Sequence, residues 1–404
     1  MPTLSRRSFI LAGSAAFGIY AYQRGLRYPR LGFEHRTLPD HKTSGSLSVA
    51  LKHAIFSPQS TDNNKLNLRS IAPEPEVTLH ARQGESLQLQ LSNLSPTAKL
   101  QISGDPRVTV LEEKFGTKRV LALKFNGEQS IELKWRLAER EGAYFAVIGD
   151  TGGGLELEWL LHRAEQLGAL FLLHLGDFNY AEDEYNRAIE LFESASFPCY
   201  VSIGNHDYND SGLVYQQFLD QIGPMNHSFS LAGTRFVNLD SAVDFFPASA
   251  GRRGDLFDQL RLDHTQYFDQ VVFTHRPFKD PREGRDHVIG GVGEIAWLHE
   301  QVLALGASDI LTGHVHRSAE LDLEGLQQWT VGEGLGFQDI VHQKQVATLL
   351  MAKVELGKQV SYQWHAINMP WSSHTSPTHE VKLKLEQPPS KLQWYRRKIQ
   401  GLDA

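Results

Sequence analysis

Two rhythms of apolar residues divide the chain. Between about 45 and 140, the runs Val77-Thr78-Leu79-His80-Ala81, Ser86-Leu87-Gln88-Leu89-Gln90-Leu91 and Val120-Leu121-Ala122-Leu123-Lys124-Phe125 alternate apolar with polar positions, separated by Gly, Asn, Asp and Pro. A period of two with frequent turn residues predicts an antiparallel β-sandwich. From about 141 the rhythm changes. Tyr144-Phe145-Ala146-Val147-Ile148 is a continuous apolar run, as expected of a strand buried on both faces. Leu155 to Leu167 then carries apolar residues at helical spacing. Strand-like runs at 170–173, 200–203, 271–273 and 309–311, with a helix over 185–192, continue the alternation. Such a chain predicts an α/β domain whose functional groups sit on loops beyond the strand carboxyl ends. Residues 317–366 return to strand-like alternation, as in Val346 to Met351, and the tail after 367 has weak periodicity and reads as a surface extension. The expected organisation is therefore an N-terminal signal over 1–30, a β-rich domain over 31–140, an α/β domain over 141–366 and an extension over 367–404.

Composition narrows the class. At 404 residues, 41% apolar and 22% charged, the chain has the balance of a multidomain globular protein. Its net charge of −7 argues against a broad nucleic-acid footprint, which needs a basic surface. The single cysteine, Cys199, lies in the apolar run Phe197 to Ile203 and reads as a small buried hydrophobe; no internal disulfide can form. At the N-terminus, Ser5-Arg6-Arg7-Ser8-Phe9-Ile10 precedes a short Gly/Ala-containing apolar run ending at Tyr22. A twin-arginine pair before a run too short for an ordinary membrane span reads as a signal for the twin-arginine translocation machinery. The expected location is periplasmic or extracellular, with the uncleaved segment as an inner-membrane anchor if no cleavage occurs.

The chemistry is concentrated at strand ends. In order they carry Gly149-Asp150-Thr151-Gly152, Gly176-Asp177-Phe178-Asn179-Tyr180, Gly204-Asn205-His206-Asp207, Thr274-His275 and Gly313-His314-Val315-His316. A lone Gly-Asp is a common turn, but five polar tags in sequence, each closing a strand, define one site. Carboxylates, an amide oxygen, imidazoles and a phenol together suit hard or borderline cations rather than a soft thiolate centre. A carboxylate can bridge two ions, and a pair roughly 3.5–4 Å apart clamps both the attacking and the leaving oxygen of a phosphoryl transfer while lowering the pKa of a bound water.

These motifs resemble the metallophosphoesterase superfamily, which includes calcineurin-like phosphatases, over about 141–320 as motifs and to 366 as fold. The resemblance implies a four-layer α/β/β/α sandwich. The family's usual first motif is Asp-x-His, whereas this chain has Asp150-Thr151-Gly152. Tyr180, three residues after Asp177, supplies a replacement donor, and Gly-Asp-Phe-Asn-Tyr-Ala resembles the second motif of purple acid phosphatases. That subgroup implies a ferric first metal held by Asp150, Asp177, Tyr180 and His316. It implies a second iron, zinc or manganese ion held by Asn205, His275 and His314, with Asp177 bridging. His206 would contact the phosphate or protonate the leaving alkoxide, with Asp207 orienting it.

Arg276, Arg252 and Arg253 are candidate phosphate contacts in loops that should overlook the site, while His174, inside a strand, reads as a satisfied core histidine. The leading expectation is hydrolysis of a small phosphate monoester by a metal-activated hydroxide. The alternatives are a phosphodiesterase acting on nucleotides or lipid head groups, and a non-catalytic scaffold that keeps the fold. Loops around 208–228, 241–256 and 276–292 would set selectivity.

Overall fold

The computed structural model of the protein describes residues 38–58, 64–138, 142–181, 183–208, 214–242, 251–262, 266–336, 339, 344–368, 371–374 and 383–385. The twin-arginine segment and most of the C-terminal extension lie outside them; within the extension, Trp371–His374 pairs antiparallel with Leu383–Leu385. Among the described residues no helix is long and apolar enough to cross a membrane.

The period-two region forms two five-stranded sheets. In the first, Glu76–Ala81 lies between Leu47–Lys52 and Gln129–Arg136. Its Val77, Leu79 and Ala81 are buried while Thr78 is exposed, so the alternation read from the sequence is the alternation of faces. In the second sheet Glu85–Ser92 pairs antiparallel with Lys118–Phe125. One pairing departs from the antiparallel expectation: Lys65–Ser70 runs parallel to Glu85–Ser92. The strand between them, Glu76–Ala81, belongs to the opposite sheet. The chain therefore crosses the sandwich and returns in the same direction. Hydrophobic alternation reports which face is buried and carries no signal for direction.

The second domain is built on two further sheets. One has the order Cys199–Val201, Phe171–His174, Gly142–Ile148, Val346–Glu355, Ser361–Asn368, with its first three strands parallel. The other has the order His227–Leu231, Thr234–Leu239, Asp269–Thr274, Asp309–Thr312, Gln327–Val331, Ser318–Asp322, with its four inner strands parallel. Strand parity then sorts side chains into layers. Phe145, Val147, Phe171 and Leu173 meet Phe236, Val271, Phe273 and Leu311 between the sheets. Phe145 stacks on Phe171 at 4.9 Å and meets Phe236 edge-on at 5.4 Å. Each such buried ring contributes about 2–3 kcal/mol. The intervening residues Ala146, Ile148 and Leu172 point the other way, onto Leu157, Leu160 and Leu161 of the helix Leu155–Gln166 and onto Leu191 and Phe192 of the helix Glu184–Ser194. On the far side Val237, Val272 and Ile310 pack against Phe257 of Gly251–Leu260 and Leu298 and Val302 of Val292–Ala304. The result is an α/β/β/α sandwich preceded by an all-β region, the layering that the resemblance implied.

Asn93 joins the two regions. Its side chain donates to Ser70 O at 2.8 Å and to Cys199 O at 3.1 Å, and accepts from Cys199 N at 2.8 Å. Arg69 and Glu193 form an ion pair across the same boundary. Cys199 itself is buried, and burial pushes its thiol up to about 12, so it is the inert hydrophobe the sequence suggests.

Candidate metal centre

Five strand ends bring the tagged residues together at the carboxyl edges of both sheets. Asp150, Asp177 and Asn205 follow strands of the five-stranded sheet; His275, His314 and His316 follow strands of the six-stranded one. Four of these residues take left-handed backbone: Asp150 (φ 58°), Asp177 (57°), His314 (70°) and His316 (48°). A non-glycine residue there costs about 1 kcal/mol or more, and such conformations persist only where surrounding contacts hold them. Here they turn four donors off straight strands into one volume.

The contacts that hold them are specific. The His314 N–H donates to both carboxylate oxygens of Asp150, at 3.1 and 2.8 Å, while Asp150 O accepts from Gly336 N at 2.8 Å. Asp177 Oδ1 accepts from His206 N at 2.9 Å. Its other oxygen, Oδ2, lies 3.3 Å from the Tyr180 hydroxyl and 3.3 Å from His275 Nε2. Tyr180 Oη is also 3.4 Å from Asp150 Oδ1 and 3.4 Å from His316 Nε2. Asn205 Oδ1 lies 3.0 Å from His275 Nε2, whose ring is anchored at Nδ1 on Leu175 O, 2.8 Å away. The structure thus brings together every expected donor: Asp150, Asp177, Tyr180 and His316 on one side, Asn205, His275 and His314 on the other. His206 is exposed at the mouth, with its ring 4.6 Å from that of Tyr180.

Asp207, Arg252 and Arg253 are placed otherwise than expected, whereas Arg276 and His174 stand where the sequence put them. Asp207 does not turn to the His206 ring. Its buried carboxylate accepts from Phe178 N at 3.0 Å, Asp177 N at 2.9 Å and Gly204 N at 2.7 Å. It braces the loops that carry the donors, a job that proximity in sequence to His206 disguises. Arg276 Nη1 stands 3.0 Å from His314 Nε2, beside the donors. Arg253 donates to Asp240 O at 3.1 Å, and Arg252 lines a cleft between the two domains with His53 and Met225. Arg282 is bound by both its Nε and Nη2 to Asp280, at 2.9 and 2.8 Å. His174 is a core histidine, satisfied by Thr151 Oγ1 at 2.9 Å and Gly176 N at 3.1 Å.

Sequence reasoning missed a strap. Gly332-Glu333-Gly334-Leu335-Gly336 runs behind Asp150, and a Cβ at Gly336 would come within 2.5 Å of both Asp150 O and Tyr180 Cε2. At Gly334 a Cβ would overlap the Gly149 carbonyl. The alternating glycines were the available signal. Three more residues were missed. His287 has its ring 6.0 Å from that of His314; Asp339 and Lys344 stand behind His316.

The electrostatics ask for a cation. Burial, reinforced by Asp177, raises the Asp150 carboxyl well above the usual range. Burial and the same carboxylates raise the Tyr180 phenol. Asp177 goes the other way: burial opposes ionisation, but the His275 and His206 interactions overcome it and hold the carboxylate charged. Burial, with His275 and Arg276, lowers His314 to about 2, so its ring is neutral. Its Nδ1 is buried without a hydrogen-bond partner. Asp177, His275 and His314 each offer a ligand atom, and these lie within 4.8 Å of one another. A hard donor set with a neutral imidazole, an orphaned ring nitrogen and a buried Asp150 carboxyl disfavoured as an anion fits bound metal ions, whose charge would reverse the Asp150 and Tyr180 shifts.

Residues 143–327, which hold every expected donor, match the calcineurin-like phosphoesterase family model. That family implies divalent metal ions. No curated protein matches the chain. Among solved structures, the chain is similar to the purple acid phosphatase PPD1 of yellow lupin, at 12% identity and a TM-score of 0.43 over 72% of this chain and 70% of that one. It is similar to PhoD at 10% identity and 0.42, over 82% and 96%, and to GAP50, the anchor in the inner membrane complex of Plasmodium, at 13% and 0.41, over 63% and 94%. With TM-scores below 0.5, none of the three bears on what this chain does.

Proposed function

We propose that the protein hydrolyses small phosphate monoesters at a two-metal centre of the purple acid phosphatase kind. The observation that carries this reading is Asp177 Oδ2, equidistant at 3.3 Å from Tyr180 Oη and His275 Nε2. One carboxylate oxygen stands between two half-sets of donors, the position of a bridging ligand. Asp150, Tyr180 and His316 complete the first set, with ferric iron the ion suited to a phenol donor. Asn205, His275 and His314 complete the second set for iron, zinc or manganese. When bound, the ions supply Lewis-acid polarisation of the phosphoryl group and an activated water.

The chain's own residues do the rest. His206, exposed beside Tyr180 with its backbone pinned to Asp177 Oδ1, is placed to touch the phosphate and to hand a proton to the departing alkoxide. His287 and Arg276, on the opposite wall beside His314, add donors for the phosphoryl oxygens. Export through the twin-arginine route to the periplasm or beyond belongs to the same reading, because that route carries folded, metal-loaded proteins.

The test pairs metal analysis of chelator-free protein with hydrolysis of a nitrophenyl monoester and the matching diester. Two ions per chain and a monoester preference support the reading. A diester preference of about tenfold or more replaces it with a phosphodiesterase. Two bound ions without turnover on any phosphoester leave a scaffold.

A further inference from the structure

Behind His316, on the side away from the donor cluster, stands a half-buried ionic network that the proposed reaction does not use. Asp339 Oδ2 lies 3.2 Å from His316 Nδ1 as an ion pair, and both atoms are buried and without a hydrogen bond among the described residues. Asp339 is 1% exposed. Its second oxygen meets Lys344 Nζ at 2.9 Å. Lys344 also donates to His316 O at 2.9 Å and to Glu333 Oε1 at 3.1 Å. Glu333 in turn accepts from Thr348 Oγ1 at 3.3 Å. The lysine therefore holds both the backbone of His316 and the carboxylate behind its ring. His316 has left-handed backbone, so it needs such a hold.

We infer that Asp339, locked by Lys344, is a positioning residue that keeps His316 in its Nδ1–H form and so presents the Nε2 lone pair to the first metal site. The inference rests on the proposed metal centre and adds residues that lie outside every motif. The ring has only two nitrogens. Nε2 faces Tyr180 Oη at 3.4 Å and Asp150 Oδ1 at 3.9 Å, so it is the ligand atom. Nδ1 must then carry the proton, and a carboxylate is the acceptor that fixes it there. His275 is arranged by the same logic through Leu175 O, at 2.8 Å, a neutral acceptor. The two halves of the centre thus differ in what stands behind a histidine: a carbonyl at one, a carboxylate salt-bridged to lysine at the other. The carboxylate makes the imidazole the more basic donor, which suits the site expected to take the more highly charged ion.

The experiment is metal release to a chromogenic chelator from wild type, Asp339→Ala, Asp339→Asn and Lys344→Met, read beside the ¹⁵N shifts of the His316 ring in the metal-free proteins. In wild type, two ions should leave in two phases and His316 should show the Nδ1–H tautomer. In Asp339→Ala one phase alone should quicken by about 10–100-fold, with the tautomer lost. Asp339→Asn, whose amide oxygen can still accept, should recover the tautomer and part of the retention. Lys344→Met should show the same single-phase effect, more weakly. Unchanged release and an unchanged tautomer in folded Asp339→Ala would overturn the inference while leaving the metal centre intact. Equal acceleration of both phases would overturn it too, as general loosening. If Asp339→Ala does not fold, the Asp339→Asn and Lys344→Met pair decides by the same criteria. A wild type that binds no metal fails the proposed function instead.

Discussion

Asp207 holds Asp177 by the backbone: its carboxylate Oδ2 accepts the Asp177 N–H at 2.9 Å, and the same oxygen accepts Gly204 N at 2.7 Å. One buried side chain thus fixes two of the loops that carry donors. In Asp207→Ala three buried N–H groups lose their acceptor, which should cost on the order of 3 kcal/mol of folding stability and lower metal retention. Urea unfolding of the metal-free protein measures the first. An unchanged midpoint would mean that the carboxylate is dispensable to the fold.

His206 should behave differently. Its side chain faces solvent at the mouth of the site, so His206→Ala should keep two ions and the wild-type melting temperature while kcat falls by about 10²–10⁴-fold. Metal content and steady-state kinetics on one preparation check this. Parallel loss of metal and activity would make the ring structural.

Tyr180 lies against Asp150, Asp177 and His316. If the first ion is ferric, the protein should show a broad visible band from the phenolate, and Tyr180→Phe should abolish it with the iron still bound at early times. A band that survives the substitution assigns the colour, and the donor, to another residue.

The glycine strap gives a steric prediction. Gly336→Ala puts a methyl group 2.5 Å from Asp150 O and from the Tyr180 ring, and the backbone cannot yield without moving a donor. Destabilisation of about 1–3 kcal/mol is expected, with weakened metal binding. Gly291→Ala, where φ is −93° and an added Cβ would meet nothing within 4 Å, is the control without a clash. Thermal melts of both variants, with and without chelator, separate the two effects.

A buried acid outside the centre makes stability depend on pH. Burial, with Glu184 adding to it, raises Glu156 from 4.5 to about 8. The unfolded chain ionises this carboxyl at the lower value, so between the two the folded state binds one more proton. Stability should therefore fall as pH climbs from about 5 towards 8 and then level off. The contribution is on the order of 5 kcal/mol. Glu156→Gln should remove that slope and melt higher than wild type at pH 8. A parallel pH dependence in both proteins would show that Glu156 is not the group responsible.

What the sequence disclosed follows from what periodicity encodes. Continuous apolar runs named the buried strands of the second domain to within a residue or two: 144–148 became Gly142–Ile148 and 309–311 became Asp309–Thr312. Polar tags after those runs marked the residues that the fold gathers, because a parallel strand buried on both faces presents side chains to a common site only at its end. The parallel pairing of Lys65–Ser70 was invisible, since alternation is identical in either direction. Asp339 and Lys344 were hidden for another reason: they act from behind a ligand, and no spacing rule links a residue to a ring 23 positions earlier. Asp207 was legible as a residue of the site but not in its role, because its neighbour in sequence is not its partner in space.

Each half-set of donors draws on both leaves of the sandwich: Asp150, Asp177, Tyr180 and Asn205 follow strands of one, His275, His314 and His316 strands of the other. Ions seated among them would act as rivets through the seam. Between the leaves lies a layer of apolar rings, Phe145 stacked on Phe171 and both meeting Phe236 edge-on, held by contact alone. Drawing the ions out with a chelator should therefore do more than stop turnover. It should let the leaves breathe, and amides of Gly142–Ile148 and Asp269–Thr274 should exchange with solvent deuterium faster in concert, while those of the N-terminal sandwich keep their rate.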